Sequence, residues 1–215
     1  MKRTPGLSHV YLAQCCRRAY GDRGPSVLSR REVEVSVYSP AYHPDVRVLA
    51  VRGTEVGGRL SNLVDIVRDL CAIPWRCPVT GVRAHRGFMR GAYLWVDAFV
   101  RDLDPRWSYV VTGHSMGAAI APHLARYLHL RGLEVPEVVL FAEPAGHYGG
   151  SRAHYAGLGL RTTSYRIKND WIRTAGFGGR TVAPVLLPAY GANCWESHGM
   201  PRYVISLAVG RAHDI

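Results

Sequence analysis

Gly113-His114-Ser115-Met116-Gly117 sets a serine between two glycines at the spacing G-x-S-x-G. Glycine lacks the Cβ that would clash in a sharp strand-to-helix turn, and such a turn presents the serine hydroxyl above the edge of a sheet. The context fits: Trp107 to Thr112 is rich in β-forming residues, and Ala118 to Leu130 continues as a helical pattern. A serine hydroxyl is a poor nucleophile at neutral pH. It needs a base within hydrogen-bond reach, and the base needs a carboxylate to orient it.

On strand-turn-helix scaffolds of this kind the chain order is serine, acid, histidine. Asp170 directly follows a β-type run, so it would project from the carboxyl end of a sheet, where such sites form. Glu143, after the preceding run, is the rival acid, and position favours Asp170. Beyond Asp170 stand two histidines, His198 and His213. His213 lies at the fraying end of the chain, which favours His198 as the base. A tetrahedral intermediate also needs donors aimed at its oxyanion. The backbone N–H of Met116, at a helix start, is one; the turn Arg52-Gly53-Thr54 offers the second through Thr54.

The elements that must hold these residues read as α/β. Leu7 to Tyr20 has helical spacing and stops at Gly21. Val33 to Tyr38 alternates like a half-buried strand, and Val46 to Val51 follows as its antiparallel neighbour. Ser61 to Leu70 and Phe88 to Leu103 repeat with helical period, the second stopped by Asp104-Pro105. Val138 to Ala142 is a continuous apolar run, the mark of a strand buried on both faces of a parallel sheet. A helical stretch from Ser151 to Leu158 leads to a strand at Thr162 to Ile167, and Tyr203 to Val209 reads as a last short strand. No repeat or linker divides the 215 residues, so the expectation is a single α/β domain over 1–215, a mostly parallel sheet flanked by helices with antiparallel N-terminal strands.

Composition narrows the partners. The chain is 47% hydrophobic and 20% charged, which excludes intrinsic disorder and collagen-like repeats. Its 27 basic and 16 acidic residues leave a formal charge of +11, favouring anionic surfaces such as phospholipid head groups. The arginines are scattered, without the basic run of a nucleic-acid patch, so nucleic acid is disfavoured. Five cysteines cannot form a fully paired framework, adjacent Cys15 and Cys16 cannot bridge without strain, and no zinc spacing occurs. The N-terminal stretch lacks a continuous apolar core for a signal peptide and no run is long enough to span a bilayer, which points to a protein cytoplasmic as synthesised.

Four blocks in order resemble the class 3, fungal-type triacylglycerol lipases of the α/β-hydrolase fold: Val51-Arg52-Gly53-Thr54, His85-Arg86-Gly87-Phe88, Val111 to Ala119 around the serine, and Arg166-Ile167-Lys168-Asn169-Asp170. Asn62-Leu63-Val64-Asp65-Ile66 is similar to a further family segment, as is the tyrosine-bearing N-terminal helix. The resemblance implies Ser115 as nucleophile, Asp170 as acid, His198 as base, and the N–H groups of Thr54 and Met116 as the oxyanion hole. It makes His85 a structural histidine and places a lid within 55–84, where Leu60, Leu63, Val64, Ile66 and Val67 form an apolar face that either moves or packs fixed. Ala142-Glu143-Pro144 and Asp170-Trp171-Ile172 depart from the family pattern.

The expected chemistry is therefore carboxylester hydrolysis of acyl lipids, lipase or phospholipase A in type, with neither metal nor organic cofactor. The substrate is a lipid or other ester, met at an anionic membrane surface. A hydrolase scaffold kept only for lipid binding is the alternative, and a fluorophosphonate probe separates the two.

Overall fold

All but the last of the expected β-type runs pair into one seven-stranded sheet. In the computed structural model the described residues are 6–21, 26–30, 33–53, 73–148, 150–174, 176 and 178–212. The strands are β1 (Ser26–Arg30), β2 (Val33–Tyr38), β3 (Val46–Val51), β6 (Ser108–His114), β7 (Val138–Phe141), β8 (Thr162–Ile167) and β9 (Val185–Leu187), adjacent in that order. The β1–β2 and β2–β3 pairings are antiparallel, and every later one is parallel. A separate antiparallel hairpin joins β4 (Pro74–Arg76) to β5 (Arg83–His85).

Helices cover the sheet and explain why its central strands are buried throughout. Helix α1 (His9–Tyr20) packs against α5 (Met200–Ala212), while α2 (Arg86–Phe99) packs against α3 (Met116–Leu130); the short α4 (Gly150–Ala156) links β7 to β8. Every residue of β6 and β7 is buried. A strand sandwiched between helices has no wet face, so no polar alternation survives in its sequence.

The structure corrects one element outright. Tyr203 to Val209 is not a strand but the body of α5. The β-branched run Val204-Ile205 suggested extended chain, but Met200, Tyr203 and Leu207 are the buried apolar residues, at helical spacing, and Ile205 and Val209 face solvent. Pro201 sits in the first turn, where its missing N–H costs nothing. Four strands had no clear signal: β4 and β5 lie largely within the stretch expected as a lid, β1 is an edge with little apolar content, tied to α2 by the Trp95 indole N–H donating to the Leu28 carbonyl at 3.0 Å, and β9 has three residues. The helix expected from Phe88 to Leu103 begins at Arg86 and ends at Phe99, followed by a 3-10 turn over Val100–Asp102.

The helix expected at Ser61 to Leu70, with the apolar face of Leu60, Leu63, Val64, Ile66 and Val67, lies outside the described residues. The rest of 55–84 contains the β4–β5 hairpin. Cys15, Cys16, Cys77 and Cys194 are free thiols. Among the described residues no helix is long and apolar enough to cross a membrane.

Candidate active site

The glycines of the serine motif are required by close backbone approach. A Cβ on Gly113 would overlap the Gly117 carbonyl, and one on Gly117 would overlap the Val51 carbonyl of β3. Strand β6 therefore runs through His114, and α3 starts at once with Met116, leaving Ser115 alone at the apex. Its φ of 56° lies in the left-handed region, strained for a residue with a side chain. The elbow is anchored by the Ser115 N–H donating to the Phe141 carbonyl of β7 at 3.0 Å. Such strain persists only where the surroundings over-determine it.

Three side chains distant in sequence converge at this apex. Ser115 Oγ lies 2.9 Å from Nε2 of His198, and Nδ1 of His198 lies 3.0 and 3.2 Å from the two carboxylate oxygens of Asp170. A carboxylate only accepts, so Nδ1 carries hydrogen and Nε2 of the neutral ring is free to accept the serine proton. Asp170 is fully buried. Burial works against its ionised form, but the hydrogen bonds and charge of His198, the Tyr203 hydroxyl and the Ile172 N–H outweigh it and hold the carboxyl below its usual range. The Tyr203 hydroxyl, from α5, donates to Oδ2 at 2.6 Å, and the Ile172 N–H to Oδ1 at 2.9 Å.

Local hydrogen bonds make the base loop rigid. Asn169 donates to the Ala192 carbonyl and accepts from the Ser197 hydroxyl, so the residue before Asp170 holds the residue before His198. Asn193 Oδ1 accepts from the N–H groups of Trp195 and Glu196, capping the short 3-10 turn Glu196–His198. Trp171 packs on the His198 ring with centroids 4.7 Å apart, and half-exposed Trp195 packs on Trp171 at 5.7 Å. The base thus has one apolar wall.

The other candidates sort cleanly. Met116 opens the 15-residue helix α3 beside the serine, so its N–H sits at the positive helix end. Thr54 lies outside the described residues, as does His213. Glu143 is not beside His198. It is buried in a second polar cluster, where its carboxylate accepts from the Thr181 N–H and hydroxyl at 2.9 and 2.6 Å and from the Ser164 hydroxyl at 3.3 Å. Thr181 accepts from His147, whose other ring nitrogen meets Ser151, which in turn accepts from buried Arg126. Burial pushes Glu143 up to about 7 despite its three donors. His85 caps α2, accepting from the Phe88 N–H at 3.2 Å, and stacks on the Phe88 ring. Sequence reasoning missed Tyr203, Asn169 and His114, whose contacts with the site cross between elements and leave no local pattern.

A mostly parallel sheet with helices on both faces, carrying a serine elbow after its central strand, is the α/β-hydrolase fold. Residues 48–170 match the class 3 lipases, and the chain belongs to that family of serine ester hydrolases. No curated protein matches the chain. Among solved structures it is similar to a fungal lipase described for an unusual buried polar cluster (16% identity, 94% of this chain and 95% of that one, TM-score 0.69). It is also similar to the triacylglyceride lipase of Rhizomucor miehei (17% identity, 83% and 78% covered, TM-score 0.60). A third is a triacylglycerol lipase with a serine protease triad at its catalytic centre (18% identity, 77% and 70% covered, TM-score 0.55).

Proposed function

We propose that this chain hydrolyses the carboxylic esters of acyl lipids, as a lipase or phospholipase A, with Ser115 as nucleophile, His198 as general base and acid, and Asp170 as the orienting carboxylate. The observation that carries the reading is the continuous relay of 2.9 and 3.0 Å from Ser115 through His198 to Asp170. In the first half-reaction Ser115 Oγ attacks the ester carbonyl as its proton passes to His198 Nε2. Asp170 stabilises the resulting imidazolium. The oxyanion is met by the N–H of Met116 at the start of α3 and by that of Thr54. His198 then gives its proton to the departing alcohol, leaving an acyl-serine, and water repeats the sequence in reverse to free the acid.

The formal charge of +11 supports action on anionic phospholipid, as do the exposed apolar side chains of Val185, Leu186, Tyr190 and Trp195 on the chain leading into His198. Hydrolysis of p-nitrophenyl butyrate and decanoate by wild type and Ser115→Ala is the first test. Loss of turnover and of fluorophosphonate labelling in the variant is expected; equal rates would overturn the serine mechanism. The second test separates triacylglycerol from phospholipid by identifying the products released from mixed vesicles.

A further inference from the structure

Three segments of the site meet at one phenolic hydroxyl. Tyr20 is the last residue of α1, and its oxygen lies 3.0 Å from Nδ1 of His114, the residue preceding the serine. The chain leaving β3 runs directly against it, since a Cβ on Gly53 would overlap the same hydroxyl. On the far side of the His114 ring, Nε2 lies 2.7 Å from the main-chain carbonyl of His198.

The proton positions follow from elementary rules. A carbonyl only accepts, so His114 Nε2 must carry hydrogen. The ring is buried, and burial first and then the neighbouring His198 push its pKa down to about 3, so it is neutral at any working pH. A neutral imidazole with hydrogen on Nε2 has an acceptor at Nδ1, and the Tyr20 O–H is the donor placed there. With the proton on Nδ1 instead, a nitrogen lone pair would face the carbonyl oxygen across the same short gap. The His198 carbonyl thereby sets the tautomer of His114, and the Tyr20 hydroxyl, which also lies 3.4 Å from the His114 carbonyl, supplies the donor for the Nδ1 left as acceptor and ties the ring to the end of α1.

We propose that Tyr20 and His114 are positioning residues for His198, which fix the backbone of the base from behind while Ser115 and Asp170 engage its ring. The proposal rests on the reading of Ser115, His198 and Asp170 as the reacting set. Both ring nitrogens of His198 are committed at 2.9 and 3.0 Å, so a slip of its main chain opens one bond or the other. The His114 and His198 rings lie 4.9 Å apart between centroids, and a neutral His114 does not oppose the positive charge that His198 acquires.

Two measurements test this. Nitrogen-15 spectra of the histidine rings, with the His114 signals assigned by their absence from His114→Gln, report its tautomer without any turnover. The Nε2–H form is expected in wild type and, because the His198 carbonyl remains, in Tyr20→Phe as well, where the Nδ1 signal shifts to that of an acceptor that has lost its donor. In kinetics on p-nitrophenyl butyrate, Tyr20→Phe lowers kcat by about tenfold or more with KM within about twofold, because orientation rather than binding is lost. His114→Gln, whose amide reaches as far as Nε2 and still donates, recovers activity relative to His114→Asn, whose amide ends near Nδ1. An Nδ1–H tautomer in wild type, an unchanged kcat in Tyr20→Phe, or equal damage from Gln and Asn would each overturn the proposal. If the two His114 variants do not fold, the wild-type tautomer and Tyr20→Phe decide alone. Persisting turnover in Ser115→Ala would instead sink the triad reading, which the tautomer measurement leaves separate.

Discussion

Tyr203 and Asp170 share the shortest hydrogen bond at the acid: the phenol of α5 donates to Oδ2 at 2.6 Å, while the Tyr203 hydroxyl oxygen itself accepts from the Ile167 N–H at 3.3 Å. The last helix of the chain is thus joined to the end of β8 and to the carboxylate together. Removing the hydroxyl in Tyr203→Phe leaves a buried carboxylate with one donor fewer, at a cost of about 1–3 kcal/mol in stability. It also lets the Asp170 pKa rise, because that hydrogen bond is one of the groups holding it down. The acid limb of the pH–rate profile should move to higher pH, with lower kcat at neutrality. A profile superimposable on wild type would refute the link.

Replacing Asp170 by Asn keeps the shape of the site but removes the acceptor that fixes the His198 tautomer. A loss of about 10⁴ in kcat is expected, with substrate affinity little altered. The same variant tests a linkage. A carboxyl whose folded pKa is depressed contributes stability that is present above its ordinary value of 3.8 and lost as pH falls through the lower folded value. Urea midpoints of Asp170→Asn should therefore change less than those of wild type on acidification below that value; equal slopes would count against it.

Glu143 runs the other way. Its folded pKa is raised from 4.5 to about 7, so the stability linked to it is fully present below 4.5 and is lost as pH rises through about 7. Glu143→Gln is isosteric, cannot ionise, and keeps an acceptor for Thr181. Its unfolding midpoint should be nearly level over this range while that of wild type declines toward alkaline pH. Parallel curves for the two proteins would show that the carboxyl titrates normally.

At Gly117 the atom met by a new methyl is a main-chain carbonyl, which cannot swing aside. Gly117→Ala should cost more than about 3 kcal/mol and abolish esterase activity, since β3 and the elbow must separate to admit it. Soluble, active protein with an unchanged melting temperature would contradict the packing described.

The serine elbow was legible because its information is local: two glycines, one hydroxyl and the β and helix patterns on either side occupy one short window. Asp170 was legible from its place directly after a β-type run, and His198 by elimination against His213. The hydrogen bonds from Tyr20 and Tyr203 were not, because their partners lie 94 and 33 residues away and no periodicity encodes such a meeting. Helix α5 was misread for a related reason: Val204 and Ile205 prefer extended chain, and packing of Met200, Tyr203 and Leu207 against the rest of the molecule overrode them. Of the two oxyanion donors proposed, Met116 stands where the motif placed it, and Thr54 lies outside the described residues.

The packing of α1 against α5 bears on how far the molecule can be pared down. The stretch that carries the family signature, 48–170, keeps the serine and the aspartate but contains neither the histidine nor either tyrosine that braces the pair. A miniature enzyme cut to that stretch would be inert, and early chain truncations that spare every signature residue should prove as damaging as lesions in the elbow itself.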